Sequence, residues 1–98
     1  MASLEVQKPF DGKSQSDIFD AGLEVLKEAG CEIIKSRPIA YLIVSKYKEG
    51  GRIGDLNLMV HFGMPPQVSI TLGGDSFSEK ELQAIADRIF KDLETNLK

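Results

Sequence analysis

Apolar residues recur along this chain at two periods, and the switches between them mark out its elements. From Ser76 to Lys98 the period is helical. Leu82, Ile85, Ala86, Ile89, Phe90, Leu93 and Leu97 form one stripe, and Lys80, Asp87, Lys91 and Glu94 lie mostly off it. The preceding residues predict how that helix starts. Ser78 caps the Glu81 amide, Glu81 reaches back to the Ser78 amide, and Phe77 staples against Leu82. Such a helix is unstable by propensity alone and needs an apolar surface to dock on. A first helix follows Ser14 or Ser16 as cap, with Asp17 and Asp20 at its positive end and Ile18, Phe19, Gly22, Leu23, Val25, Leu26 and Ala29 as its apolar positions. Gly30 ends it as a C′ residue, which sets Cys31 against Leu26 in a Schellman cap.

Elsewhere the period is two. Leu4 to Lys8 alternates as a short strand ended by Pro9 and the Asp11-Gly12 turn. Glu32 to Lys35 is a second short strand, broken at Arg37-Pro38. Ile39 to Tyr47, rich in β-branched and aromatic residues, is the strongest strand, and Glu49-Gly50-Gly51-Arg52 is a hairpin turn. In the strand from Ile53 to Phe62, Leu56, Leu58, Val60 and Phe62 take one face, with Asp55, Asn57, Met59 and His61 on the other. Gly63 to Pro66 is a loop. Gln67 to Leu72 alternates again, with Val68, Ile70 and Leu72 apolar against Gln67, Ser69 and Thr71. Opposing Phe62 with Val68 sets His61 across from Ser69 and Met59 across from Thr71.

The resulting string, β-α-β-β-β-β-α, predicts an α+β domain over residues 1–98, with one curved antiparallel sheet and both helices on one face. This order of elements is similar to that of the TATA-binding-protein-like and helix-grip architectures, in which a curved antiparallel sheet cradles a long C-terminal helix. Fold does not by itself imply function.

Composition narrows the classes that remain. The chain is 42% hydrophobic and 28% charged, typical of a soluble globule. A formal net charge of -3 with scattered basic residues argues against nucleic acid as a partner. No apolar run approaches membrane-spanning length, which argues against a membrane partner. The N-terminus lacks the basic and long apolar regions of a signal peptide. The single cysteine, Cys31, fits a reducing compartment, and a cytoplasmic location is expected.

Candidate chemistry is sparse. His61, the only histidine, lies among hydroxyl-bearing neighbours on the polar sheet face, where an imidazole can act as a general base; its ordinary role is a solvent-facing strand residue. One His, one Cys and scattered acids show no metal spacing, and no cofactor is expected. Cys31 follows a helix C-terminus, where the dipole disfavours a thiolate. The glycine-rich segments around Gly50 and Gly73 match neither the Walker nor the dinucleotide pattern.

The outward sheet face holds more promise. Ile39 to Val44 is apolar at both parities. If Gly50-Gly51 alone forms the turn, Tyr41 and Ile43 face inward and Ala40, Leu42 and Val44 outward; a three-residue loop with a bulge reverses this. Either register leaves an apolar row away from the helices. The sequence therefore points to a non-catalytic binding domain that self-associates or docks a protein through its open face, and Tyr41, Leu42, Ile43, Val44, Asn57, Met59, His61, Ser69 and Thr71 are the interface or ligand candidates. Two alternatives stand beside it. One is a carrier of a small apolar ligand between the sheet and the C-terminal helix, given space by Gly22 and Ala86; the other is a small enzyme using His61.

Overall fold

A computed structural model describes residues 2–97; Met1, and Lys98 at the end of the last stretch read from the sequence, lie outside them. The elements run β1 (Ala2–Pro9), α1 (Gln15–Glu28), β2 (Glu32–Arg37), β3 (Leu42–Glu49), β4 (Arg52–His61), β5 (Gln67–Gly74) and α2 (Glu79–Asn96), the expected order. The strands form one antiparallel sheet in the order β1-β5-β4-β3-β2. Alternation decides which side of it is covered. Ile43 and Tyr47 of β3, Leu56, Leu58 and Val60 of β4, and Val68, Ile70 and Leu72 of β5 all point to the buried side. There α1 lies over β4 and β2, α2 lies over β1 and β5, and the two helices touch. The stripe of α2, from Leu82 to Leu93, closes this core.

The local signals act as their chemistry demands. Ser78 Oγ accepts from the Glu81 amide at 3.2 Å while the Ser78 amide donates to Glu81 Oε1 at 3.0 Å, completing the capping box. Ser14, not Ser16, caps α1 by accepting from the Asp17 amide. Gly30 adopts φ +88°, and the Cys31 amide donates to the Leu26 carbonyl at 2.9 Å as a Schellman motif requires. Gly50 and Gly51, both at positive φ, form a two-residue turn that pairs Glu49 with Arg52. That register sends Ile43 and Tyr47 inward and Leu42 and Val44 outward.

Two expectations are corrected at the other end of the sheet. β3 begins at Leu42, not Ile39, because Pro38 to Tyr41 are used in two overlapping turns closed by the Ala40 and Tyr41 amides; Ile39 is left 98% exposed. Phe62 does not face Val68. The β4–β5 ladder ends at His61 opposite Gln67, with Val60 opposite Val68, Met59 opposite Ser69 and Asn57 opposite Thr71. The predicted pairing was two residues out of step, which preserves the face of every strand residue but moves Phe62 off the ladder, 85% exposed. Away from that end, the two positions expected to give space are packed: a Cβ at Gly22 would meet Leu58 at 3.4 Å, and Ala86 is fully buried.

Candidate functional site

Three loops converge at the end of the sheet where α1 begins. The Phe10 amide donates to the Pro66 carbonyl at 2.9 Å, tying the β1–α1 segment to the β4–β5 loop. Gln15 Nε2 donates to the Val60 carbonyl at 3.2 Å, and the Val60 amide donates to the Tyr41 carbonyl at 2.9 Å. Beneath them Phe10 is buried against Phe90, and Tyr41 meets the Phe19 ring edge-on at 6.2 Å between centroids. These ties fix the loop backbones around a cleft of about 810 Å³. Tyr41, Phe62, Met64, Pro65 and Pro66 supply its apolar lining, while Asp11, Lys13 and the start of α1 supply its polar lining. Phe62 and Met64 are 85% and 97% exposed, so two large apolar side chains stand in water beside a concavity. Sequence reasoning reached Tyr41 but missed Phe62, Met64 and Lys13. The available signal was Phe and Met within a Gly/Pro loop, where no strand alternation can bury them.

The open sheet face carries most of the other candidates. Leu42, Val44, Asn57, Met59 and His61 are half-buried there, Ser69 is buried and Thr71 is exposed. Ile43 leaves the candidate list, because it is fully buried against the helices. His61 Nε2 lies 2.9 Å from Ser69 Oγ, a diagonal contact since its cross-strand partner is Gln67. Neither residue lines the loop-end cleft. At one margin of the face charges pair locally: Lys46 with Asp55, and Lys48 Nζ with Glu32 Oε1 at 2.5 Å. The Lys48 hydrogen bond, then its charge, hold the Glu32 carboxyl below the ordinary glutamate range. Asn57 Oδ1 is buried with no hydrogen-bond partner among the described residues.

Cys31 has a structural position. Burial pushes its thiol up from the ordinary value, against smaller opposing effects from a Ser45 hydrogen bond and the Arg88 charge. Among the described residues, no three His, Cys, Asp or Glu side chains are grouped as metal ligands, and no helix is long and apolar enough to cross a membrane.

No protein-family model matches the chain, and no curated protein sequence matches it. Among solved structures it is similar to the crystal structure of Ara h 8.0201, with a TM-score of 0.52 and 10% identity over 98% of this chain and 97% of that one. At that identity the likeness concerns the fold, and it supports the helix-grip arrangement of sheet and C-terminal helix.

Proposed function

We propose that the chain is a non-catalytic, cytoplasmic binding domain that holds a small apolar ligand in the loop-end cleft. The observation that carries this reading is the pair Phe62 and Met64, both exposed, flanking a concavity of about 810 Å³. That volume lies within the roughly 300–1,000 Å³ usual for small-molecule sites, and an apolar lining with a few polar groups is their usual chemistry. A helix-grip fold is compatible with such a carrier. The ligand site moves from between sheet and helix, where the core is packed, to the mouth formed by the loops. The test is an NMR titration with a panel of small aromatic and aliphatic compounds. Shifts should cluster on Tyr41, Phe62 and Gly63, and Phe62→Ala should weaken the best binder about tenfold, the worth of roughly 1.5 kcal/mol of lost apolar burial. Saturable binding that ignores Phe62→Ala, or no saturable binding at all, would sink the idea.

A second reading, docking of a protein on the open sheet face, is favoured by the contiguous apolar strip of Leu42, Val44 and Met59, with Asn57, His61, Ser69 and Thr71 as its polar surround.

A further inference from the structure

We propose that the open face of the sheet is the interface of a symmetric dimer, with the two-fold axis passing through Asn57 and running close to the direction of β4. This rests on the open-face reading and commits it to one occupant, a second copy of the chain. β4 is the central strand of five, and its outward residues are Ile53, Asp55, Asn57, Met59 and His61. Asn57 is therefore the middle residue of the middle strand. The ladder registers place it in a cross-sheet row, Lys35–Val44–Asn57–Thr71–Glu5. A two-fold axis along β4 lays that row on its own reverse. Lys35 meets the partner's Glu5, Val44 meets the partner's Thr71, and Asn57 meets the partner's Asn57. An axis across the strands would instead set Lys35 against the partner's Lys35. Charge complementarity thus selects the strand-parallel axis. Lys35 and Glu5 are both exposed, and neither has an ion-pair partner among the described residues.

The adjoining row, Arg37–Leu42–Met59–Ser69–Gln7, maps in the same way, so Met59 meets the partner's Met59 and Leu42 covers the partner's Ser69. On the other side of the centre Asp55 meets the partner's Asp55. Each already pairs with its own Lys46, which offsets the like charges. The central amide carries an orphaned acceptor: Asn57 Oδ1 is buried with no hydrogen-bond partner among the described residues, and a change of χ1 that turns the whole amide edge outward would let two symmetric amides each donate from Nδ2 and accept at Oδ1. Five strands by about eight residues make a face of about 24 by 26 Å, or roughly 600 Å² per copy. That is near the lower end for a specific interface, so the dimer should be reversible.

The test is sedimentation of the full chain across a micromolar-to-millimolar series, with circular dichroism to establish that each variant is folded. Wild type should pass from monomer to dimer. Asn57→Lys, which sets two cations on the axis, should hold the chain monomeric. Lys35→Glu should weaken the dimer about tenfold or more, and Lys35→Glu/Glu5→Lys, which restores every opposed pair, should recover it. In a Cys31→Ala background, Asn57→Cys should cross-link to itself through a bis-maleimide spanning about 10 Å, the spacing of packed sheets. A wild type that stays monomeric throughout overturns self-association by this face. A dimer that survives Asn57→Lys, or is not recovered by the charge swap, overturns the two-fold placement while leaving self-association standing. A protein partner other than itself captured by a monomeric chain through Leu42 and Val44 overturns the dimer and keeps the docking reading.

Discussion

At the end of the sheet where β3 turns into β4, Phe77 is buried, with the Arg52 guanidinium 4.5 Å above its ring and Tyr47 edge-on at 5.9 Å. Arg52 also donates to Glu81 at 2.6 Å and to Glu49 at 3.0 Å, and it reaches the Ser76 carbonyl. Gly54 sits tightly in this cluster, because a Cβ there would lie 3.0 Å from the Gly73 carbonyl and 3.2 Å from the Phe77 ring. At the opposite end another phenylalanine, Phe62, has left the ladder and lies 85% exposed beside a cleft. Both residues follow a strand, Phe62 directly after β4 and Phe77 three residues after β5. The difference is what each next segment does. After Phe77 a capped helix starts at once and brings Leu82 and Ile85 down on the core, closing the end. After Phe62 the chain runs through Gly63, Met64 and two prolines with no helix to fold over it. The closed end invests in stability, and the open end leaves apolar surface in water.

The largest expected effect breaks this contrast directly. Phe77→Ala should cost about 3–5 kcal/mol in chemical denaturation, as deletion of a buried ring does, whereas Phe62→Ala should stay within about 0.5 kcal/mol of wild type. Equal costs would show that the two ends are not built differently. Ser78→Ala comes next, at about 0.5–2 kcal/mol, since it removes the cap and half of the capping box. An unchanged denaturation midpoint would mean that Arg52 and Phe77 hold the helix start without it.

The smallest expected effect is a pH dependence. The Ser78 amide, followed by Arg52, holds the Glu81 carboxyl below the ordinary glutamate value of 4.5. A depressed folded-state pKa stabilises the fold at pH values above the unfolded one. That contribution is therefore complete above the ordinary value and is lost as pH falls through the lowered one. Glu81→Gln should flatten the acid limb of a stability–pH curve, and a limb that keeps its slope would remove Glu81 from the account.

Much of the closed end was legible because its signals are local. A capping box occupies four residues, Gly50-Gly51 carries its own turn geometry, and Gly30 marks where α1 must stop. Face assignment in β4 and β5 was equally readable, since side chains alternate at period two. Pairing was not, for the same reason: a slip of two residues leaves every face unchanged, so Val68 accepts Val60 or Phe62 equally well on pattern. The loop length between Phe62 and Pro66 decides between them, and nothing in the alternation fixes that length. The cleft depends on the slip. It joins Lys13, Tyr41 and Met64 from three loops distant in sequence, and only the ladder ends bring them together. Ile39 was misplaced by a related conflict, in which β-propensity favoured a strand but Pro38 imposed two turns.

The pairing of β1 with β5 has a consequence in time. Every other ladder joins strands that are neighbours in sequence, but Pro9 pairs with Gln67 across the 57 residues from 10 to 66. Closing a flexible loop of that length costs roughly 3 kcal/mol more entropy than closing a two-residue turn. The economical order is for the β2–β5 meander and its helices to form first, shortening that loop, and for the N-terminal strand to clasp on afterwards. Until it does, β5 offers an unpaired edge to any passing strand. The first of these five strands in chain order is then the last to pair, and it covers the edge that β5 would otherwise leave open.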